Sequence, residues 1–535
     1  MNRSYLRARQ LRRAVERLSG RRLPAFVDGN PDLYVMVKES NSGERAVGLW
    51  NCFSDEVLSP VVELDRPYAK AAFLGCKGRL DGNRVVLEDV PAWKFAGFVV
   101  SEPRTAGVER RGAAADGDAT ERIQREIDDC FRAGGGVVRI AKGEHRIKSL
   151  RLRSNVTLHL ERDARLVASR NPSDYDGIVP CDEVEPFDGG LLDGADRLSI
   201  TSTNHWNNAI IRIYRAHDVA IVGEPGSEID GRNCYDENGE EKYRGPHGIG
   251  VHFSSNVVCR GYTLRDAGNW SHRFCLSSDI RVEDVKVRGG HDGLDFHACD
   301  RVLVEGCDIQ SGDDCVAGYD NDDMTVRRCR LNSACSVFRI GGRNILAESI
   351  VAYGPGVFVH RYGLSEAEKR AGVNPAEGGR RNTLSFFTNY GNARVRGRPC
   401  GIVFRNCRVE GIDRFMHLNF SGNERWQTGP CLEDVTFENV DASGLLHPIT
   451  AYARREYPLR IAFKDCRMSV RAPVKEFARG ANISGISLEN VEFKDVEGPL
   501  LLNWENRIPA VKTNNLRGLS PSIRKADGPF ASVAI

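Results

Sequence analysis

The sequence predicts an all-β protein whose larger part is a parallel β-helix. A six-residue template (apolar, any, Asp/Asn/Gly/Arg, Val/Cys, any, apolar) recurs along the chain, and its first two intervals are both 22 residues. Short strands punctuated by Gly, Asn and Asp replace helical periodicity through most of the chain. Repeats of this kind, made of small strands with polar corners, build a solenoid of stacked coils. The fourth template position predicts an inward-facing ladder of Val285, Cys307, Cys329, Cys407, Val440, Cys466 and Val491.

The first hundred residues have a different pattern and predict a small domain of their own. Leu11, Val15 and Leu18 share one face of a short leading helix, and six strand-like segments follow over residues 32–102. We therefore predict a β-sandwich domain over residues 1–104, followed by a polar linker over residues 105–117.

A capping helix and the β-helix are predicted over residues 118–520. Asp118 or Thr120 begins the helix, which covers the otherwise exposed edge of the first coil. Its apolar face carries Ile123, Ile127, Cys130 and Phe131. Between Cys329 and Cys407 the 78-residue gap predicts three turns plus an insertion.

Composition and charge argue against several classes of function. The formal net charge of +2 and the 28% of charged residues indicate neither a nucleic-acid nor a membrane partner. The start of the chain has no apolar signal segment, which predicts a cytoplasmic protein, with an extracellular or periplasmic location as the alternative if a leader has been removed. The sixteen cysteines contain no CxxC pair and are interpreted as mostly free core thiols in a reducing compartment. No metal constellation or phosphate loop stands out, so neither a metal nor a cofactor is predicted.

Three aspartates interrupt two apolar strands at the repeat interval. The 22-residue spacing places Asp292 over Asp314 on the next coil, with Asp313 beside them. Neighbouring strands lie about 4.8 Å apart, so two such carboxylates repel and one of them should hold a proton more tightly. Hydrolysis of a glycosidic bond uses carboxyl groups of this kind as acid and base. Hydrogen bonding to turn amides and binding of Ca²⁺ are the alternative readings of the three aspartates.

The segment "DGLDFHACDRVLVEGCDIQSGDDCVAG" resembles the polygalacturonase family, glycoside hydrolase family 28. The resemblance extends over about residues 114–505 and includes "GGGVVRIAKGEHRIKSLRLRSNVTLHLERDARL", "EIDGRNCYD" and "LRDAGNWSHRF". It implies a right-handed, pectin-lyase-like β-helix and hydrolysis with inversion. By the same resemblance, Asp313 would be the general acid, and Asp292 and Asp314 would hold and deprotonate the attacking water. The domain at residues 1–104 resembles the accessory β-domain of larger glycoside hydrolases.

The chain departs from the family pattern where the substrate's acidic group would bind. Gly290 and His291 replace the family's Asn-Thr, and Cys335 or Ser336 stands at the position of its histidine. The stretch nearest to the family's R-I-K segment carries His360 and Arg361. The sequence therefore supports hydrolysis more strongly than it supports pectin as the substrate.

Other side chains are candidates for binding a carbohydrate. Arg339 shares a column of the coils with Asp295, and either pairs with it or holds a sugar acid. The insertion at residues 361–398 is basic and follows the acidic coils, which predicts a lid that attracts an anionic glycan. The full set of predicted substrate-binding residues is His291, Asp295, Arg339, His360, Arg361, His417, Asn419 and Trp426.

Three functions are compatible with this pattern. The first is an inverting hydrolase of a plant or microbial polysaccharide, with uronate- and rhamnose-containing polymers as candidates. The second is a lyase or epimerase in which Arg339 or His360 serves beside the carboxylates. The third is a non-catalytic, glycan-binding solenoid. The sequence leaves open the sugar, endo or exo action, and the oligomeric state.

Overall fold

The computed structural model describes residues 11–12, 14–17, 22–28, 33–39, 45–52, 54–68, 70–101, 110–112, 117–179, 207–422, 424, 426–505 and 508–526. Leu18 and most of the predicted linker lie outside these residues. The chain divides into two compact units. One comprises residues 1–109 and 132–137, and the other comprises residues 110–131 and 138–535.

The N-terminal unit contains two four-stranded antiparallel sheets around a shared apolar core. The strand orders are β1-β4-β7-β6 and β2-β3-β8-β5. Val47 and Leu49 of β3 are buried in this core, and the residue between them is not, as the two-residue period of a strand requires. The strands are β1 Ala25–Asp28, β2 Leu33–Glu39, β3 Arg45–Asn51, β4 Val61–Leu64, β5 Lys70–Leu74, β6 Gly78–Asp81, β7 Arg84–Leu87 and β8 Phe95–Ser101.

The predicted leading helix is present at residues 11–12 and 14–17, and no apolar contact of its Leu11–Val15 face is needed to hold it. Leu11 and Val15 are exposed. Polar contacts orient the helix instead, since Arg12 pairs with Glu63 at 2.6 Å and stacks over Phe26.

The larger unit is a parallel β-helix in which each strand pairs with its counterpart one coil later. Its first half contains β9 Arg110–Gly112, β10 Gly136–Ile140, β11 Gly143–Ile147, β12 Leu150–Leu152, β13 Val156–Leu160, β14 Ala164–Ala168, β15 Ala209–Tyr214, β16 His217–Gly223, β17 Glu228–Asp230, β18 Tyr235–Glu240, β19 His247–His252, β20 Ser255–Arg260, β21 Thr263–Arg265, β22 His272–Cys275, β23 Ser278–Glu283, β24 Lys286–Gly289, β25 Leu294–His297 and β26 Asp300–Glu305. Strand β18 stands outside the ladder and makes a local antiparallel turn.

Its second half continues the same parallel pairing to the end of the described chain. The strands are β27 Asp308–Ser311, β28 Val316–Arg327, β29 Arg330–Ser333, β30 Ser336–Glu348, β31 Val351–Tyr353, β32 Ser385–Thr388, β33 Cys400–Glu410, β34 Arg414–Asn419, β35 Asp434–Leu445, β36 His447–Tyr452, β37 Leu459–Lys464, β38 Arg467–Val474, β39 Ala478–Ala481, β40 Ile483–Val496, β41 Pro499–Asn503, β42 Ala510–Arg517 and β43 Ser520–Lys525. Short 3₁₀ turns lie at Pro172–Asp174 and Arg361–Gly363.

The capping helix α1 spans Thr120–Arg132. Asp118 begins it by accepting a hydrogen bond from the Thr120 amide at 2.9 Å. Gln124 bonds both the amide and the carbonyl of Arg151 in β12, which satisfies part of the exposed edge of the first coil. The prediction for Phe131 is wrong, because its side chain is 42% exposed and lies under Arg153. The buried residues of α1 are Ile123, Ile127 and Cys130.

The predicted Val/Cys ladder is confirmed, and all seven positions are buried. The gap between Cys329 and Cys407 holds two turns rather than three. Ile350 is the one ladder position between Cys329 and Cys407. Val351, the residue after it, donates to the Cys329 carbonyl one coil earlier, and Arg408 donates to the Ile350 carbonyl. The remaining length forms the insertion, which includes the short helix α2 at Glu366–Ala371.

The fifteen cysteines in the described part of the chain are free. Within the same residues, no helix combines the length and the apolar character that crossing a bilayer requires.

Candidate active site

Three aspartates converge where two consecutive coils turn. Asp292 precedes β25, while Asp313 and Asp314 precede β28. The two strands pair in parallel with Leu294 opposite Val316, which confirms the register that the 22-residue spacing predicts. Parallel pairing in this register brings the three aspartates, one segment before each strand, to the same rim of the solenoid.

Backbone hydrogen bonds fix these carboxylates in a column. Asp292 Oδ1 accepts from the Asp314 amide at 3.0 Å, and Asp314 Oδ1 accepts from the Ser336 amide at 3.0 Å. One carboxylate oxygen from each of Asp292, Asp313 and Asp314 lies within 4.8 Å of the others. Ser336 therefore occupies the position one coil beyond Asp314, as the sequence predicts.

The three carboxyl groups lie at the base of a cleft that opens to solvent. The cleft encloses about 1140 Å³ of space, part of it continuous with bulk water. Its walls come from the coils and from three segments that rise beside them, at residues 240–247, 360–384 and 424–426. Each aspartate is at most 6% exposed, so the carboxylates are largely buried yet reachable from the cleft.

Arg339 pairs with a different carboxylate from the one predicted. Its Nε lies 2.6 Å from Asp314 Oδ2, whereas Asp295 pairs with His297 at 2.7 Å. The predicted column of Asp295, Ala317 and Arg339 is confirmed by the strand register. Burial alone would lower the pKa of the Arg339 guanidinium, but nearby Asp314 outweighs it and raises that pKa.

Asp313 belongs to a closed arrangement of alternating charges, which we call the charge ring: Asp313, Arg361, Glu241 and Arg244. Arg361 Nη1 donates to Asp313 Oδ2, and Arg361 Nε donates to Glu241 Oε2 at 3.0 Å. Arg244 lies 3.3 Å from Glu241 and 3.7 Å from the same Asp313 oxygen. Two arginines are thus shared between Asp313 and a second carboxylate, Glu241, on the cleft wall.

The surroundings of Asp292 raise its affinity for a proton. Burial raises its pKa well above the ordinary value, and the charges of Asp295 and Asp314 raise it further, against the opposing effect of Arg244 and Arg361. This agrees with the expectation that one member of the stacked pair has a raised proton affinity. It also differs from the family pattern, which would place the acid at Asp313.

Two neighbouring groups remain uncharged at neutral pH. Burial, with a contribution from Arg380, lowers the pKa of His360 to about 3. Burial, reinforced by Asp314, raises the pKa of the Cys335 thiol to about 12. The cleft therefore presents carboxylates and guanidinium groups as its charged chemistry.

Five of the eight predicted binding residues line the cleft, namely Asp295, Arg339, His360, Arg361 and Trp426. The other three predicted residues, His291, His417 and Asn419, lie outside this cleft. His291 lies beside Tyr243 in a separate small cavity, because successive residues at this rim point to opposite sides. His417 shares the column of Arg339 but lies two coils further on, in another small cavity. Asn419 caps a turn by accepting from Ser421 Oγ at 2.6 Å.

Several cleft residues escaped the sequence prediction. Arg273 lies in the column of Asp295, one coil earlier, so extending the register by one repeat finds it. Arg244 and Glu241 follow the hairpin strand β18, and Tyr390 comes from a loop, so repeat spacing carries no signal for them. The lining residues outside the predicted site are Glu240, Glu241, Arg244, His247, Trp270, Arg273, Ala317, Cys335, Tyr362, Arg380, Leu384, Tyr390 and Glu424.

Most of the basic residues in the predicted insertion bind the protein itself. Arg370 stacks over Tyr235, and Arg396 pairs with Asp300 and Asp320. Among the arginines and lysines of residues 361–398, those that reach the cleft are Arg361 and Arg380.

Arginines occupy the places beside the carboxylates that a cation would take. Arg361 contacts Asp313 and Arg339 contacts Asp314, and both guanidinium groups are charged. This arrangement favours an anionic or neutral ligand over Ca²⁺ at the three aspartates.

The sequence and the fold match known proteins. A family model described as Glycosyl hydrolases family 28 matches residues 191–337. A probable polygalacturonase of Vitis vinifera is 28% identical over 276 residues, which amount to 45% of this chain and 53% of that protein. The chain therefore spans about half the length of this curated relative.

Solved structures share the architecture at low sequence identity. A hyperthermoactive exopolygalacturonase from Thermotoga maritima aligns with a TM-score of 0.54 and 16% identity, over 74% of this chain and 93% of that one. PfbA, a surface adhesin of Streptococcus pneumoniae, aligns with a TM-score of 0.50 and 12% identity, over 75% of this chain and 93% of that one. These likenesses establish the fold, a right-handed parallel β-helix. The family match and the relatives show that the chain is similar to polygalacturonases and to glycosyl hydrolases of family 28.

Proposed function

We propose that the protein hydrolyses glycosidic bonds in a pectin-like, uronate-containing polysaccharide. The observation that carries this proposal is the convergence of Asp292, Asp313 and Asp314 at the base of an open cleft whose walls carry arginines. Stability alone does not favour three carboxyl groups with oxygens within 4.8 Å of one another. Acid and base catalysis requires groups placed in this way.

The roles follow from position and from the family resemblance. Asp313 protonates the leaving oxygen, while Asp292 and Asp314 hold the attacking water between them. Asp292 and Asp314 are joined through the Asp314 amide, so their oxygens keep a fixed separation for one water molecule. Arg339 orients the Asp314 carboxylate from the other side.

The cleft walls support an acidic sugar as substrate. Arg273, Arg339, Arg361 and Arg380 all line it, and guanidinium groups bind carboxylates through paired hydrogen bonds. Aromatic rings are also present, since Trp426 and Tyr390 lie 5.9 Å apart and line the cleft. Such rings pack against the apolar face of a sugar.

The stereochemical part of the proposal depends on distance. Inverting enzymes commonly separate their two carboxyl groups by about 6.5–9.5 Å, and retaining enzymes by about 5–5.5 Å. Here the nearest oxygens are within 4.8 Å, which is closer than the usual inverting pair. We infer inversion from the resemblance to the family, and the anomeric form of the first product tests it.

The test is digestion of polygalacturonate, with dextran as a neutral polymer of similar size. We expect new reducing ends from polygalacturonate only, formed about 10²–10⁴-fold more slowly with Asp313→Asn. Binding of the polymer by Asp313→Asn should persist, because the arginines remain. Products that absorb ultraviolet light would assign a lyase instead. Polymer binding without turnover by the wild type would assign a glycan-binding protein.

A further inference from the structure

The charge ring poses a problem for a general acid. A guanidinium in contact with a carboxylate favours the ionised form of that carboxylate. Arg361 contacts Asp313 directly and therefore favours the ionised form of Asp313, which cannot donate a proton. A hydrolase that uses Asp313 as its acid must therefore move this counter-ion before the reaction.

Glu241 offers Arg361 a second position. The Arg361 Nε already lies 3.0 Å from Oε2 and 3.3 Å from Oε1 of Glu241. Burial alone would raise the pKa of Glu241, but Arg244 and Arg361 outweigh it and lower that pKa, so Glu241 remains charged through the neutral range. Arg361 can leave Asp313 without losing its pairing with Glu241.

Arg244 is held more firmly than Arg361. Its Nη1 donates to Asn269 Oδ1 at 2.9 Å, and the side chain is 2% exposed. Asn269 is fixed in turn by Glu240 at 3.0 Å. Arg244 remains 3.7 Å from Asp313, too far for a direct hydrogen bond. Arg361 is therefore the partner whose movement changes the charge next to Asp313.

We propose that Arg361 is a counter-ion shared between Asp313 and Glu241, and that a sugar carboxylate entering the cleft draws Arg361 off Asp313. Asp313 then takes up a proton from the bulk solution, by exchange through the open cleft, and becomes the acid, while Arg361 stays charged throughout. Glu241 is a positioning residue, because it acts through Arg361 and not on the substrate. This inference rests on the proposed hydrolysis of a uronate-containing polymer.

Asp313 faces charged and titratable groups from every segment packed around it. Those of the preceding segments and coil are Glu240, Glu241, Arg244 and Asp292, and those of its own coil, the next coil and the insertion are Asp314, Cys335, Arg339, His360, Arg361 and Arg380. His360 and Cys335 stay neutral over the working range, so their charge does not change with pH there. A bound anion therefore acts on Asp313 chiefly by changing whether Arg361 lies next to Asp313 or next to Glu241.

The test is the pH dependence of kcat/KM and of kcat on oligogalacturonate. The alkaline limb of kcat/KM reports the acid of the free enzyme, and that of kcat reports the acid in the complex. We expect the limb of kcat to lie at higher pH than the limb of kcat/KM. Arg361→Gln should raise the limb of kcat/KM by about 1 pH unit or more, since it removes the guanidinium.

Glu241→Gln should move the limb of kcat/KM in the opposite direction, to lower pH, because Arg361 then has Asp313 as its remaining carboxylate. Arg361→Lys keeps the charge and should leave the limb near that of the wild type. Glu366→Gln removes an equivalent charge from an exposed part of the same insertion and serves as the matched control. Equal loss of activity at all pH values in both Glu241→Gln and Arg361→Gln would overturn the inference.

A second measurement separates the inference from the proposed function. We expect the wild type to be more stable than Arg361→Gln, with a difference in free energy of unfolding that is larger at neutral pH than at low pH, where Asp313 is protonated. A difference independent of pH would overturn the inference. A wild type without turnover on polygalacturonate, yet with the expected stability difference, would contradict the proposed function and leave the charge ring intact.

Discussion

At the scale of single residues, the three aspartates are neighbours with different surroundings. Asp292 is buried among like charges, Asp314 is paired with Arg339, and Asp313 is paired with Arg361. Chemically identical side chains can therefore carry different protonation states at one pH, which is how a single site supplies both an acid and a base.

Asp313→Asn should remove the acid without disturbing the fold. Asparagine has nearly the same shape, and the hydrogen bonds from Ser311 and Ser333 go to the backbone carbonyl of residue 313, so they remain. We expect kcat to fall by about 10²–10⁴-fold, the usual contribution of a general acid. Steady-state kinetics measures this, and unchanged circular dichroism provides the control. Near-normal turnover in the variant would contradict the assignment.

Asp292→Asn should change how stability depends on pH. The pKa of Asp292 is raised in the folded protein, so the folded state binds more protons than the unfolded state above the ordinary carboxyl range. The wild type consequently loses free energy of unfolding as pH rises towards that raised pKa, and the variant lacks this loss. Denaturant unfolding should therefore show that the free energy of unfolding of the variant, relative to that of the wild type, is higher at neutral pH than at mildly acidic pH. A constant difference would show that the pKa of Asp292 is not raised.

At the scale of elements, the insertion forms one wall of the cleft because it is docked on earlier coils. Arg170 donates to the Ala371 carbonyl at 2.8 Å, and Asn233 donates to the Gly372 carbonyl at 3.0 Å. Lys369 also lies over the Tyr243 ring. These contacts place helix α2 next to the segment that carries Arg361.

Gly372→Ala should disturb this docking. Gly372 ends α2 with φ +69°, and an added Cβ would meet Arg170 at 3.0 Å and the Asn233 carbonyl at 3.1 Å. Gly378→Ala is the control. Gly378 has a similar φ of +77°, but a Cβ added there would have no neighbour within 4 Å, so this variant carries only the backbone cost of about 1–2 kcal/mol. We expect kcat/KM to fall by about tenfold or more in Gly372→Ala, because small misplacements of binding groups are costly. Equal kinetics in the two variants would contradict a role for docking.

Elements that repeat were predictable, and elements that interrupt the repeat were not. The spacing alone gives the register of Asp292 over Asp314 and the column that contains Arg339. Arg244 and Arg361 reach Asp313 from a hairpin and from the insertion, whose paths no repeat encodes. The charge ring therefore could not be found without coordinates, although its arginines are plain in the sequence.

At the scale of the whole molecule, the β-helix is stabilised by stacked columns of side chains. Phe404 lies at the centre of one such column, with ring centroids 5.4 Å from Phe338, 5.0 Å from Phe386 and 5.3 Å from Phe437. Each coil contacts only its neighbours, so removing one layer of side chains weakens the contacts of that coil with the coils on both sides of it.

Phe404→Ala should therefore lower the free energy of unfolding by about 3–5 kcal/mol, the usual cost of emptying a buried aromatic site. Phe131→Ala is the matched control, since that ring is 42% exposed and its loss should cost less than about 1 kcal/mol. Denaturant unfolding followed by fluorescence compares the two. Similar costs would contradict the assignment of the core.

The fold itself leaves function open, because the same architecture occurs in an exopolygalacturonase and in a surface adhesin. The proposed function depends on the cleft, where the three carboxylates converge. Proton NMR of polygalacturonate digestion, recorded from the first turnovers, tests this most directly. The account predicts a reducing end of inverted anomeric configuration with the wild type, and product formation that is slower by about 10²–10⁴-fold with Asp313→Asn. Product formation that is unaffected by Asp313→Asn would contradict it.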